Sequence, residues 1–188
     1  MGWNDQGTIL WLKELQTSVG TLVLGSTSQG LCLLDFKYRK SYSAVLARVQ
    51  RLIGGQGRFG TSPFIEQAEE ELLAYLRGEL STFTVPLDLR GSPFQLLVWN
   101  ALLEVGYGET VSYAEVATRI GRPTATRAVA NANGQNGIAI IIPCHRVIGS
   151  DGSLTGYGGG LAVKKKLLEL EGSYPRKRTR RPLQQFFE

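Results

Sequence analysis

The chain reads as an α+β fold in two parts. A small α/β part, an antiparallel sheet plus helix, covers residues 1–90, a mostly helical part covers 91–172, and a basic tail, 173–188, follows. Three observations carry this reading. Residues 19–36, VGTLVLGSTSQGLCLLDF, set two β-branched and aliphatic runs around a Ser-Gln-Gly turn, the pattern of a hairpin. Beyond Arg90-Gly91 the apolar residues recur at helical spacing instead. The tail clusters Arg176, Lys177, Arg178, Arg180 and Arg181 without apolar periodicity, so it is expected to be a disordered arm drawn to polyanions, or a solvated tail that aids solubility.

Taken in order, Cys32 falls inside the second hairpin strand with Leu on either side and is expected to be a small buried hydrophobe. In TSPFIEQAEEELLAYLRGEL, Ser62 caps a helix, Pro63 fits its first turn and Gly78 follows its last. STFTVPLDL alternates Phe83, Val85, Leu87 and Leu89 with smaller or polar residues, and Pro86 makes it an edge strand. SPFQLLVWNALLEV has Ser92 as cap, Pro93 at the first position, and a core face of Phe94, Leu97, Val98, Ala101, Leu102 and Val105. Ser112 and Glu115 form a capping box for a short helix, and after a Gly-Arg-Pro break Pro123 and Thr124 start a second. Such a pair resembles a helix-turn-helix, whose second helix docks on DNA, although any helical hairpin fits the pattern. In that second helix Arg127 projects among Ala, Asn and Gly, so small residues allow close approach to a backbone while one guanidinium reaches out. Close packing of Ala and Gly against neighbouring helices is the structural alternative. LAVKKKLLELEG forms the last helix, ended by Gly172.

Composition narrows the function. The 43% hydrophobic content is ordinary for a globular core, and the length allows one large domain or two small ones. No stretch approaches the roughly 18 apolar residues of a membrane span, and MGWNDQGTIL lacks the basic start and apolar core of a signal peptide. The expectation is a cytoplasmic protein with no membrane partner, in which Cys32 and Cys144 remain thiols. Two cysteines and one histidine do not supply the four ligands of a structural zinc, so no metal is expected. The net charge of +5 is uneven: nine Lys/Arg face nine Asp/Glu over residues 1–90, and twelve face seven over 91–188.

The chemistry concentrates in IAIIIPCHRVIG, residues 138–149, where the only histidine follows a cysteine. A free thiol has a pKa of about 8.5, so a reactive cysteine needs a base or cation, and His145 is the available base for Cys144. Adjacent side chains on a strand point to opposite faces, so the pair can communicate only if the strand breaks or a water bridges them. A base works better when a third group orients it. Glu171 is a candidate: it lies in the last helical turn, where the helix dipole disfavours a carboxylate, so local stability does not explain it, though a tolerated surface Glu remains open. Asn136, eight positions before the thiol, is either plain turn chemistry or a tie holding the loop in register.

These residues resemble the O6-alkylguanine-DNA alkyltransferases, also called methylated-DNA-protein-cysteine methyltransferases. The PCHRV motif, Pro143 to Val147, is the most specific signature, and GSPFQLLVWNALLEVGYGETVSYAEVA and TRAVANANGQNGIAIIIPCHRVIGSDGSLTGYGGGLAVKKKLLELEG follow the family in order and spacing. The resemblance implies a ribonuclease H-like N-terminal domain and a winged-helix-like C-terminal one. It implies direct-reversal repair: Cys144 takes the alkyl group from O6 of guanine, with O4 of thymine a candidate second position, once per molecule and without a cofactor. A Glu-His-water-Cys network would use Glu171 and His145. Asn136 would fasten the helix-turn-helix to the thiol's strand. Tyr113 would bond the leaving guanine and help swing the nucleotide out, and Arg127 would fill its place from the minor groove, with Ala128, Ala132, Asn133 and Gly134 against the backbone. Val147, Tyr157 and Gly158 would line the pocket, with the Gly158 amide near O6 and the Cys144 and Val147 carbonyls facing the exocyclic amine. The partner this resemblance implies is alkylated duplex DNA, met by a monomer. Gly106 and Gly137 stand where the family usually has Pro, which loosens both loops, and Gly158 often carries a small side chain in relatives, which bears on pocket width. Two other readings compete: a Cys-His hydrolase of small esters or peptides, and a protein that binds alkylated DNA without reacting.

Overall fold

A computed structural model describes residues 8–173, so the basic tail beyond Ser173 lies outside the described residues. The architecture is mixed α+β. Strands β1 (Leu10–Thr17), β2 (Gly20–Ser26) and β3 (Leu31–Phe36) are antiparallel neighbours in the sheet order β3-β2-β1-β4, and β4 (Gly57–Phe59) runs parallel to β1. The expected hairpin is β2–β3. The expected purely antiparallel sheet is not what forms, because helix α1 (Tyr42–Ile53) crosses between β3 and β4 and returns the chain in the parallel sense.

Alternation along the strands sorts the two faces, except at Cys32, where a bulge opposite Gly25 and Ser26 sets two neighbouring residues on one side. Leu22, Leu24 and Leu34 belong to the main core, whereas Val23, Cys32 and Leu33 pack with Val45, Val49 and Ile53 of α1 in a smaller cluster on the other face. Cys32 is 3% exposed, in keeping with its expected role as a small hydrophobe. Helix α2 (Pro63–Leu76) starts as expected: Ser62 accepts from the Ile65 amide, and the chain leaves through Gly78 at φ +77°. STFTVPLDL differs from the expected edge strand. It makes only one bridge, at Leu87, where the Leu31 amide donates to the Pro86 carbonyl at 2.8 Å and the Asp88 amide to the Leu31 carbonyl at 2.9 Å. With no N–H at Pro86 the ladder does not extend.

Past residue 90, helices α3 (Pro93–Leu103), α4 (Tyr113–Arg119) and α5 (Thr126–Gly134) pack against one another. The capping boxes at Ser92/Gln95 and Ser112/Glu115 are both formed. Two expectations shift. Leu97 is 43% exposed, and Trp99 takes the interior place, its indole N–H donating to the Ala132 carbonyl at 2.9 Å. Pro123 and Thr124 make a turn closed by the Ala125 amide on the Arg122 carbonyl, so α5 begins at Thr126. The main core runs through residue 90 without a break, joining Leu22, Phe36, Ile65 and Tyr75 to Val98, Leu102, Val129, Ile142 and Leu167. No helix among the described residues is long and apolar enough to cross a membrane.

Candidate active site

The apolar run before the cysteine is not a strand. Residues 138–142 fold as successive turns, with Ile140 at φ +70°, a costly conformation for a β-branched residue. Ile138 bridges to Leu34 of β3, and the Ala139 amide donates to the Leu34 carbonyl at 2.7 Å. Residues Cys144–Arg146 then form one 3₁₀ turn. Of the two ways for Cys144 and His145 to communicate, a break in the backbone is therefore present. Directly after it, β6 (Val147–Ile148) pairs in parallel with β5 (Val111–Ser112), which brings Tyr113, the first residue of α4, beside the exit of the turn.

Cys144 Sγ accepts from Asn136 Nδ2 at 3.2 Å. Asn136 is 2% exposed and makes three further bonds, Nδ2 to the carbonyls of Ile138 (3.3 Å) and Ile142 (2.9 Å) and Oδ1 from the Ile138 amide (2.9 Å). It ties the end of α5 to the turns that lead to the thiol. The two sequence-level readings of this residue thus coincide. Burial pushes the Cys144 thiol up, opposed by the Asn136 bond and by the positive fields of Arg39 and Lys164.

His145 is fully buried, and its Nε2 lies 2.9 Å from Glu171 Oε1. Burial drives its pKa below the ordinary value although Glu171 pulls the other way, so the imidazole is neutral at pH 7 and able to take a proton. Its Nδ1 is buried without a protein partner among the described residues. Glu171 Oε1 also accepts from the Tyr75 hydroxyl at 2.7 Å and Arg146 Nη2 at 2.8 Å, and Oε2 accepts from Arg146 Nε at 2.9 Å. Burial would raise this carboxyl, but the bonds from His145 and Arg146 outweigh it and hold it at about 2. With the Gly108 amide, which donates to Oε2 at 3.5 Å, five tertiary bonds offset the unfavourable helix-end position of Glu171.

A cleft of about 810 Å³ opens onto Cys144, lined among others by Tyr113, Asn133, Tyr157 and Gly158. The Tyr113 hydroxyl accepts from Thr155 Oγ1 at 3.1 Å. Tyr157 stands edge-on to Phe36 and His145, and its hydroxyl is buried without a partner among the described residues. Of the residues expected against DNA, Arg127, Ala128 and Gly134 are exposed, whereas Ala132 and Asn133 share the inward face of α5 with Val129 and are 3% and 5% exposed. Helical spacing puts these two on the face that carries Val129, and Asn133 also lines the cleft. Both loops that glycine was expected to loosen are tied. The Gly106 amide, which proline would lack, donates to Glu109 Oε2 at 3.1 Å, and the Gly137 carbonyl accepts from the Leu34 amide at 2.8 Å.

Four site residues escaped sequence reasoning. Tyr75 and Arg146 hold Glu171. Lys164 is 0% exposed, donates to the Val147 carbonyl at 2.5 Å and the Thr155 carbonyl at 2.7 Å, and burial pulls its ammonium down to about 8. Arg39 reaches over from the N-terminal half. One local signal was available: Lys164, Leu167, Leu168 and Glu171 fall at i, i+3, i+4 and i+7 on one face of α6 (Leu161–Leu170) and its cap. No group of three or more Cys, His, Asp or Glu among the described residues could hold a metal.

The family model described as 6-O-methylguanine DNA methyltransferase, DNA binding domain, matches residues 93–173. A methylated-DNA–protein-cysteine methyltransferase of Methanosarcina acetivorans is 44% identical over 165 residues, 87% of this chain and 99% of that protein. The chain belongs to this methyltransferase family. The family member from Mycobacterium bovis is 62% identical over 106 residues, 56% of this chain, and the match spans 64% of that relative's length. Among solved structures, that of Mycobacterium tuberculosis OGT in complex with DNA matches with a TM-score of 0.75 at 44% identity, covering 88% of this chain and 94% of that one.

Proposed function

We propose that the chain repairs DNA by moving an alkyl group from O6 of guanine to Cys144, once per molecule. The observation that carries this reading is the thiol itself: it opens onto a cleft, bonded by Asn136, on the same turn as a neutral histidine held by a buried carboxylate. In the transfer, His145 takes the Cys144 proton through a water, the sulfur attacks the alkyl carbon, the C–O6 bond breaks as the S–C bond forms, and the departing guanine takes a proton from the Tyr113 hydroxyl, which the imidazolium makes good through solvent. Glu171 keeps the imidazole oriented and stabilises its charged form. The thioether product is not displaced by water, so no second turnover follows.

Residues 91–172 act as the DNA-binding and transfer part and 1–90 as a ribonuclease H-like support, a division in line with the family match starting at Pro93. Helices α4 and α5 act as a helix-turn-helix and the β5–β6 pair as a winged-helix-like element. A monomer docks in the minor groove, Arg127 enters the stack and the lesion swings into the cleft; the exposed Arg127 and Ala128 and the open cleft beside α5 support this. O4-alkylthymine is the second candidate substrate. Two free cysteines suit the cytoplasm, where the DNA would be met. The test is intact mass before and after exposure to duplex bearing O6-methylguanine. One methyl added at Cys144 and none on Cys144→Ser is expected; repeated turnover, or repair by iodoacetamide-blocked protein, overturns the reading.

A further inference from the structure

The family match begins at Pro93, yet one wall of the thiol cleft comes from the other half of the chain. Arg39, just past β3, is the centre of that wall. Its Nη1 is bound by both oxygens of the buried Asp35 at 3.1 and 3.0 Å, and Ser41 Oγ accepts from Nε at 2.8 Å. Held in this way, the guanidinium donates onward to the carbonyls of Asn136 (3.2 Å) and Gly134. Arg48 of α1 donates to the intervening Gln135 carbonyl at 2.5 Å. Three successive carbonyls at the C-terminal end of α5 therefore meet two cations, where the helix dipole is negative and its carbonyls lack intrahelical partners.

The same guanidinium defines the pocket at Gly158. A Cβ there would lie 3.0 Å from Arg39 Nη1 and 3.1 Å from both Cζ and Nε, so Arg39 fills the space a side chain at 158 would use. Next to it, a Cβ on Gly159 would strike the Phe36 ring at 2.7 Å, and the Tyr38 hydroxyl donates to the Gly159 carbonyl at 3.1 Å. The thiol is thus held on one side by Asn136, which Arg39 grips by its carbonyl, and faced on another by a backbone that Arg39 touches.

We propose that Arg39, anchored by Asp35, is a positioning and specificity-determining residue for alkyl transfer: it holds Asn136 against Cys144 and sets the width of the cleft at Gly158. This rests on the alkyl-transfer reading above. Removing the guanidinium opens space beside Gly158, so larger alkyl groups gain relative to methyl, and it also withdraws a positive field from the thiol.

The experiment compares wild type, Arg39→Ala, Arg39→Lys and the surface control Lys37→Ala. Rates of single transfer are measured from duplexes bearing O6-methylguanine or O6-benzylguanine, together with the pH profile of Cys144 alkylation by iodoacetamide. Arg39→Ala should raise the benzyl-to-methyl rate ratio about tenfold, because the opened space lets the larger benzyl group bury apolar surface that a methyl cannot, and shift the iodoacetamide profile to higher pH. Arg39→Lys, which keeps the charge but cannot fork to Asp35 and two carbonyls, should keep the raised ratio while its pH profile returns toward wild type. Should Arg39→Ala fail to fold, the ratio in Arg39→Lys decides. A wild-type ratio in both variants, or in Lys alone if only it folds, overturns the proposal. A wild type that takes up no methyl overturns the functional reading instead, while the iodoacetamide profile still reports what Arg39 does to the thiol.

Discussion

Replacing Glu171 by Gln tests the buried network through its pH dependence. The carboxyl sits at about 2 in the folded protein against 4.5 for an ordinary glutamate. Because the folded value is depressed, the stabilisation is fully present above 4.5 and is lost as pH falls toward 2. A gap of this size corresponds to about 3 kcal/mol at pH 7, and leaving Arg146 buried without its partner is a loss of the same order. His145 adds to the acid limb: its folded value lies below 6.5, so from there downward the unfolded chain binds the proton first and stability falls with pH. Urea unfolding of wild type and Glu171→Gln at pH 7, 5 and 3 should show a difference of about 3 kcal/mol at pH 7 that narrows to about 1 kcal/mol at pH 3. The melting temperature at pH 7 should drop by roughly 10 °C. A difference of equal size at pH 7 and pH 3 would refute the argument, since the ionised carboxylate would then not be what holds His145 and Arg146.

Three other outcomes follow from the same geometry. Asn136→Ala removes the donor to Sγ and the ties to the Ile138 and Ile142 carbonyls, so transfer from methylated duplex should slow by about ten- to a hundredfold, read as single-turnover rate constants. Arg127→Ala, on the exposed face of α5, should slow transfer from duplex DNA while leaving iodoacetamide labelling of Cys144 unchanged; a change in labelling would mean that Arg127 acts on the thiol rather than on DNA. At pH 8, peptide mapping after iodoacetamide should find label on Cys144 and none on Cys32, which burial pushes up to about 12 and which opens onto no comparable cleft.

Much of the helical framework was legible because its signals are local. Ser62, Ser92 and Ser112 cap helices within three residues of themselves, and such bonds form whatever the rest of the chain does. Two further elements carry a local trace: Val45, Val49 and Ile53 mark α1 at four-residue spacing, and Leu10 and Leu12 mark β1. The run IAIII misled, because five apolar residues in a row fit a buried strand as well as a set of buried turns, and periodicity cannot separate them.

By itself the sequence determined the chemistry on offer: one histidine beside one thiol, an acid at an unfavourable helix end, an asparagine eight residues upstream, and the motif that links them to a family. Tertiary structure alone decided what surrounds that chemistry. The Tyr75 hydroxyl reaches Glu171 across 96 positions and Arg39 reaches the Asn136 carbonyl across 97. Bonds over such separations exist only once the chain has closed around a shared core, and no local pattern of residue types encodes which distant partner arrives.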